Sequence, residues 1–433
     1  MHPGRRNFRA VWLSLFTTAM GLMALLPVLA LYVEERFGIV DPVEAAFWAS
    51  IIYGAGPFAA ACMGPIWGAM GDRYGKKGMA VRANLAIAVS MSLMPFADAP
   101  VWLLALRILQ GLFAGYVAPA MSLVTAHLPR YVHGRIIARL QVAMALGMFA
   151  GPYIGAEISS LFGRASLFWF AAALSLLSGL RLWWAADESV PPARRAAAAE
   201  AAVVRRQQSF FAGFVGGVRS LLGQRLIGVL LVLLILLRLG QNMLEPMLSL
   251  FLRELGPQSL LLSISATETL ALDRTIAVAF GVLAIAQWIC TPWWGRMADR
   301  HGPLRCLVGL GFGLFAFQAA TALVQTVNQF LLLRCGVACM MAGSMTLAYA
   351  SVSKRVADEH RTLAFALVQS CIQLGLAFGP LLGALVAGGE SGQLDFRFAF
   401  LVAALLCFAA ATGMVFVRRL EARPVDRATS CAP

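Results

Sequence analysis

Charge is scarce in this sequence. Asp, Glu, Lys and Arg make up 13% of 433 residues, about half the share of a soluble globular domain. Acidic side chains are the scarcest, 21 against 35 Lys and Arg. The 5 histidines are scattered through loops and termini, and the 8 cysteines show no metal-ligand spacing. No Ser/His/Asp cluster occurs, and no Gly-x4-Gly-Lys-Ser/Thr phosphate loop. Low charge, 60% hydrophobic residues and a mean hydropathy of +0.76 exclude a soluble globular protein and a disordered chain. The missing clusters argue against an enzyme, a metal or other cofactor, and direct use of ATP. Six of the cysteines lie inside apolar segments and Cys306 at the edge of one, so they read as small apolar residues.

What the sequence does have is long apolar runs. About 20 such residues span a bilayer as a helix. Twelve segments qualify: 10–33, 46–70, 78–98, 100–122, 137–160, 165–186, 225–252, 274–298, 304–325, 328–350, 362–388 and 396–418. A β-barrel would alternate apolar and polar residues; Val229–Leu237 does not. The predicted fold class is an all-α membrane protein of twelve transmembrane helices. The first run follows Arg5, Arg6 and Arg9 but is too long for a signal-peptide core and has no cleavage site after it.

The formal net charge of +14 would point to nucleic acid in a soluble protein. Its distribution says otherwise. With the N-terminus placed inside, 26 Lys and Arg fall on inner segments and 5 on outer ones. That asymmetry predicts cytoplasmic termini and removes the need for a nucleic-acid partner. Four arginines remain within spans: Arg107, Arg181, Arg238 and Arg334.

The chain also repeats itself. Pro65-Ile-Trp-Gly-Ala-Met-Gly-Asp72-Arg73-Tyr-Gly75 matches Pro292-Trp-Trp-Gly-Arg-Met-Ala-Asp299-Arg300-His-Gly302 at an offset of 227, and Arg107 matches Arg334 at the same offset. Gln141, Gly147, Gly151, Pro152 and Gly155 match Gln369, Gly375, Gly379, Pro380 and Gly383 at 228. Pro27 through Glu35 matches Pro246 through Glu254 at 219. The expected organisation is an N-terminal six-helix bundle over 1–190, a cytoplasmic linker over 191–224, a second bundle over 225–420 and a cytoplasmic tail over 421–433. The linker could carry a surface helix with Phe210, Phe211 and Phe214 on the membrane. Parallel repeats of this kind place a substrate site between the halves, near mid-membrane.

These residues resemble the major facilitator superfamily, and within it the twelve-span drug:proton antiporters of the multidrug efflux type. Gly64 through Lys77 resembles the family's loop 2–3 signature, Arg107-Ile-Leu-Gln110-Gly111 its span-four motif, and Gly147-x3-Gly151-Pro152-x2-Gly155 its antiporter motif. Where that motif usually ends Gly-Gly, this chain has Gly155-Ala156. The resemblance implies gating roles for Gly68, Asp72, Arg73 and Gly75, with Asp299 and Arg300 a weaker copy. Such loops also act simply as turns and topology signals. It implies proton coupling for Arg107, whose alternative is a structural tie to span one. It implies that the bent span-five helix seals the bundle interface; the alternative is ordinary glycine packing.

Span seven carries the most pointed local feature. Arg238, Gln241, Asn242, Glu245 and Ser249 fall on one helical face, and a polar stripe at mid-membrane is costly unless it meets a cavity or a partner. The stripe is expected to line the central cavity, with Glu245 a proton or cation-substrate site and Arg238 part of the proton coupling; an internal Arg238–Glu245 ion pair holding the bundles in one state is the alternative. Span one has Leu26 where Glu245 stands in span seven. Glu34, Glu35 and Glu157 are expected to be interfacial. Fold analogy puts Phe16, Met20, Tyr116, Gln141, Phe149, Gln241, Asn242, Gln287, Trp288, Met345, Tyr349, Gln369 and Gln373 at a substrate cavity, with a lipid-facing or core role as the alternative for any one of them. Aromatic and Met side chains there suit varied hydrophobic ligands.

The functional expectation is a monomeric secondary transporter of a bacterial inner membrane. Its partners are protons, lipid and an amphipathic small molecule, a drug or an endogenous metabolite such as a siderophore, which it exports. A proton symporter importing a nutrient and a transport-dead membrane sensor are the alternatives.

Overall fold

The computed structural model describes residues 3–125, 133–188, 219, 223, 225–255, 268–353, 361–388 and 394–422. The predicted linker, apart from residues 219 and 223, and most of the predicted tail lie outside them, as do Phe210, Phe211 and Phe214. The first half contains α1 (Pro3–Leu25), α2 (Leu29–Phe37), α3 (Pro42–Tyr74), α4 (Lys76–Leu93), α5 (Pro100–Phe113), α6 (Val117–Thr125), α7 (His133–Phe162) and α8 (Ser166–Ala185). The second contains α9 (Arg225–Asn242), α10 (Leu248–Glu254), α11 (Glu268–His301), α12 (Pro303–Thr321), α13 (Val327–Ser353), α14 (Arg361–Ala387) and α15 (Phe396–Ala422). Eleven helical stretches among the described residues are long and apolar enough to cross a membrane. The described residues are nearly all helical, with one isolated β-bridge between Gly388 and Leu394, and the protein is a multi-pass membrane protein.

Three predicted spans are interrupted. Spans one and seven each contain a 3-10 turn, Leu26–Val28 and Glu245–Met247. The cause is the same in both. Pro27 and Pro246 have no N–H to donate and cannot continue an α-helix. The two turns are equivalent positions of the repeat, so the halves break their first helix at the same depth. Span four, predicted as 100–122, ends its first helix at Phe113 after 14 residues. Ala114 is extended, Gly115 takes φ +109°, a region open to glycine, and the helix resumes at Val117. Trp67 Nε1 donates to the Leu112 carbonyl at 2.6 Å, which satisfies an acceptor that the break leaves free. Its repeat equivalent, Trp294, donates in the same way to Cys339 at 2.7 Å.

The repeat extends to packing. In the first half α1 packs on α7 and α8, α3 on α5, and α4 on α8. In the second, α9 packs on α14 and α15, α11 on α13, and α12 on α15. These are the same pairings between equivalent spans. The halves meet through α3 against α14 and α7 against α11, again an equivalent pair of contacts.

Glycine sets the closest approaches. A Cβ on Gly151 would lie 2.6 Å from the Met20 carbonyl oxygen of α1, and one on Gly155 would lie 2.7 Å from that of Ala24. A Cβ on Gly147 would overlap the Phe16 carbonyl, and in the second half one on Gly383 would overlap that of Met243. Lipid tails give helices no hydrophobic reason to associate, so contact surface of this kind drives their packing. Inside the first half a buried polar network adds to it: Thr18 Oγ1 donates to Asn84 Oδ1 at 2.8 Å and to Ser178 Oγ at 3.1 Å, and Ser178 also meets Ser14. Gly383→Ala should therefore lower thermal stability by about 1–3 kcal/mol. Gly309→Ala, where a Cβ meets open space, should be neutral or stabilising. Melting curves of the two detergent-solubilised variants check the contrast.

Candidate functional site

The break in span seven frees Glu245 from helical register. The spacing that puts it below Arg238 on a continuous helix no longer applies, and the Arg238–Glu245 pair, the alternative reading of this face, does not form among the described residues. Glu245 Oε2 instead accepts from Arg334 Nη2 at 2.9 Å, with both side chains about nine-tenths buried. Arg334 also donates through Nε to the Ala279 carbonyl at 3.2 Å, and its guanidinium lies 5.2 Å from the Phe280 ring and 5.8 Å from the Phe330 ring. A cavity of about 20 Å³ adjoins the pair, lined by Gln241, Glu245, Gln318, Thr321 and Arg334 among others. That is room for about one water. Gln241 Nε2 is buried there without a partner. Arg334 was visible in the sequence as the repeat equivalent of Arg107 but was not counted as a site residue. The repeat match was the signal that could have found it.

Arg107 is in the opposite situation. It is 5% exposed. Its Nη1 donates to Gln110 Oε1 at 3.0 Å, while Nε and Nη2 are buried with no partner. The position in the first-half turn that corresponds to Glu245 holds Leu26, so the arginine has no local acid. Tyr53 of α3 lies within electrostatic range of Arg107, Glu245 and Arg334. Arg238 is half-buried and donates to Gln241 Oε1 at 3.0 Å. Asn242 Nδ2 donates back to the Arg238 carbonyl at 2.8 Å.

The remaining cavity candidates divide. Tyr349 neighbours Arg238 and donates to Gln369 Oε1 at 2.6 Å; Gln369 is exposed and Gln373 half-buried. Gln241 and Asn242 are buried beside Arg238. Trp288 and Met345 are exposed, Gln287 is half-buried and Gln141 exposed. In the first half Phe16 stacks on Trp12, Phe149 packs against Tyr153, and Met20 is buried. Tyr116 is buried within the first half's interior cluster beside Ser14. It faces that polar network and not an open space.

The antiporter-motif glycines Gly147, Gly151 and Gly155 face α1 of their own half. Pro152 is inside α7. Their copies Gly375, Gly379 and Gly383 face α9 in the same way. Contact of α7 with the other half uses a different residue, Tyr153, whose ring fills the space over Gly281. Gly68, Asp72 and Arg73 lie within α3, but their surroundings fall outside the described residues. Gly75 has φ +107° and caps α4. The carboxylate at that helix start is Glu188, which accepts from Lys76 N and Lys77 N, each at 3.1 Å, where the helix dipole favours an anion. Asp299 and Arg300 are exposed at the end of α11.

Glu34, Glu35 and Glu157 are not merely interfacial. They join a cluster of ion pairs at the end of the bundle away from the N-terminus, termed distal here. Glu34 pairs with Arg253, its own repeat equivalent, in a two-pronged contact with one arm at 2.9 Å. Arg164 bridges Glu35 at 2.9 Å and Asp273 at 3.2 Å. Asp273 also accepts from Ser159 at 2.9 Å, and Arg274 pairs with Glu157 at 3.0 Å. Three of these pairs cross between the halves. Ion pairs joining described residues of the two halves all lie at this end, as does the close approach of Val43 to Gly388, while Gly54 meets Ala377 deeper in the bundle. Among the described residues these ion pairs tie the two halves together at the distal end.

The sequence profile of the Major Facilitator Superfamily matches residues 11–272 and 230–430. The chain is 26% identical over 386 residues to a multi-drug resistance efflux pump PmrA homologue of Lactococcus lactis, covering 89% of each. It is 29% identical over 408 residues to the multidrug resistance protein MdtG of a Rahnella species, covering 93% of this chain and 91% of the relative. Among solved structures it resembles a mutant of the nucleoside transporter NupG, with a TM-score of 0.77 at 13% identity over 95% of this chain and 99% of the other. It also resembles a bacterial homologue of the lysosomal transporter Spinster, with a TM-score of 0.71 at 15% identity over 97% and 98%. At these identities the structural likeness concerns the fold.

Asp273→Asn combined with Arg253→Ala should loosen the distal latch. Exposed pairs contribute about 0.2–1 kcal/mol each, and the buried Asp273 contributes more. Spin labels at Val40 and Leu323, both exposed, should report a longer or broader distance distribution in the double variant than in a cysteine-free parent.

Proposed function

Because the chain belongs to the Major Facilitator Superfamily and is a multi-pass inner-membrane transporter, not an enzyme, we propose that it exports amphipathic small molecules in exchange for protons. Alternating access moves the two six-helix units, 1–190 and 225–420, about a site between them. The termini, the 191–224 linker and the 421–433 tail are cytoplasmic. This orientation rests on the excess of Lys and Arg on the termini side and makes the latched distal face extracellular.

The observation that carries the reading is the buried Glu245–Arg334 pair at the helix break. Glu245 is the carboxylate at mid-span, and its charge is balanced by one arginine. Protonating Glu245 removes its half of the pair and leaves Arg334 to find another anion or water. A proton bound there therefore changes the packing of α9 against α13, the kind of two-state element that coupling requires. The relatives' names, multidrug efflux pumps at 26–29% identity, favour an exporter of varied small molecules over a nutrient importer. Asp72 and Arg73 on the termini side, with Asp299 and Arg300, are the groups proposed to close the opposite gate when the distal latch opens.

Proteoliposomes with an imposed proton gradient test the reading, with a panel of fluorescent efflux dyes. Flux opposite to the proton gradient that collapses with a protonophore is the expected result. Glu245→Gln should cut gradient-driven flux roughly tenfold or more while leaving counterflow of unlabelled against labelled substrate. Glu245→Gln with Arg334→Gln controls for the cost of an unpaired buried arginine. Flux in the direction of the protons would make the protein a symporter, and a chain that binds but moves nothing would be a sensor.

A further inference from the structure

The site's charges do not balance. Glu245 lies at mid-span in the turn between α9 and α10, and Arg334 holds it. Of the other in-span arginines, Arg181 is exposed near the end of α8. That leaves Arg107 and Arg238, one in each half, with no carboxylate paired to either among the described residues. A cation at membrane depth needs a counter-ion or water. Arg107 is sealed in. Arg238 is half-buried, and among the described residues its Nη1 donates to a neutral amide.

The surroundings of Arg238 set a guanidinium beside aromatic and thioether side chains. Gly375 of α14 lies against its Cβ, where any side chain would collide, so the arginine leaves its helix with no side chain at 375 packed over it. Tyr349 flanks it, and Met345 lies one turn away on α13, exposed. A guanidinium offers paired donors that match a carboxylate, sulfonate or phosphonate. A cationic ligand would meet repulsion there, since the nearest acid is already occupied.

We propose that the molecules carried are amphipathic organic anions, with the acid group held at Arg238 and the apolar body against Tyr349 and Met345. The proposal rests on the transport reading and deepens it by naming the substrate's charge.

A matched pair of probes tests it, pyrene butyrate and pyrenylbutyl trimethylammonium, which share a body and differ in sign. In proteoliposomes of the full chain the butyrate should be transported and should thermally stabilise the protein; the ammonium should do neither. Arg238→Lys should keep part of the activity, and Arg238→Gln should raise KM for the butyrate roughly ten- to hundredfold. Arg238→Glu should invert the preference. If that reversal fails to fold, the Lys and Gln variants carry the comparison. Equal transport of both probes, preference for the ammonium in the wild type, or an unchanged butyrate KM in Arg238→Gln overturns the proposal and leaves the transporter reading standing. No gradient-driven flux of any dye, and no stabilisation by either probe, overturns both.

Discussion

A bilayer gives a buried charge no water to fall back on, and the contact between Glu245 and Arg334 is where this chain meets that constraint most directly. The pair exists because Pro246 breaks span seven and releases Glu245 from the helix. Arg334 reaches it from span ten, with a carbonyl of span eight as its second acceptor. Three helices of the second half are thus tied together at one ionic centre. Losing either partner strands the other in hydrocarbon, which is far more costly than never having the pair. A contact with that asymmetry is a natural place to couple a proton to a change of packing.

The same scaffold in the first half lacks the acid. Both halves break their first helix at a proline, pack that helix under a glycine row, and tie a tryptophan to the following span. Only the second half places a carboxylate in the break. Duplication therefore supplied the architecture, and divergence at Leu26 and Glu245 supplied the charge asymmetry. Arg107 retains the position of Arg334 without its partner, and both lie within electrostatic range of Tyr53. The unbalanced charge is consequently a property of the whole site and not of one residue.

Much of this was legible in the sequence because bilayers impose simple rules. Long apolar runs, the Lys and Arg asymmetry and the repeat offsets gave the spans, the expected sidedness and the pairing of equivalent helices. What was not legible depends on short-range geometry. The spacing of Arg238 and Glu245 puts them on one face only if the helix is continuous, and a single proline removes that premise. Gly147, Gly151 and Gly155 read as a close-packing face, but nothing in their spacing says which helix they meet. Glu34, Glu35 and Glu157 sit near apolar ends, where interfacial residues are common, and their partners Arg253, Arg164 and Arg274 lie more than a hundred residues away. Ion pairs of that separation leave no periodicity to read.

The distribution of strong and weak contacts bears on how such a molecule can move. Span five is held to span one, and span eleven to span seven, by backbone approaches that admit no side chain. Each pair must move as a unit. The contacts between halves are mixed: Gly54 meets the Ala377 backbone as closely, but the others are side-chain contacts, Tyr153 over Gly281, Phe58 edge-on to Phe378 at 5.7 Å, and the distal ion pairs. Exposed pairs such as Glu157–Arg274 are individually weak, which suits a latch that must open in every cycle. Asp273 is the exception, since it is 4% exposed at its side chain and bound by both Arg164 and Ser159. Opening the distal face must hydrate that carboxylate as it leaves its arginine. The step is therefore easier if water enters the cleft together with the separation of the halves, and the buried end of the latch, not its exposed pairs, sets the height of that barrier.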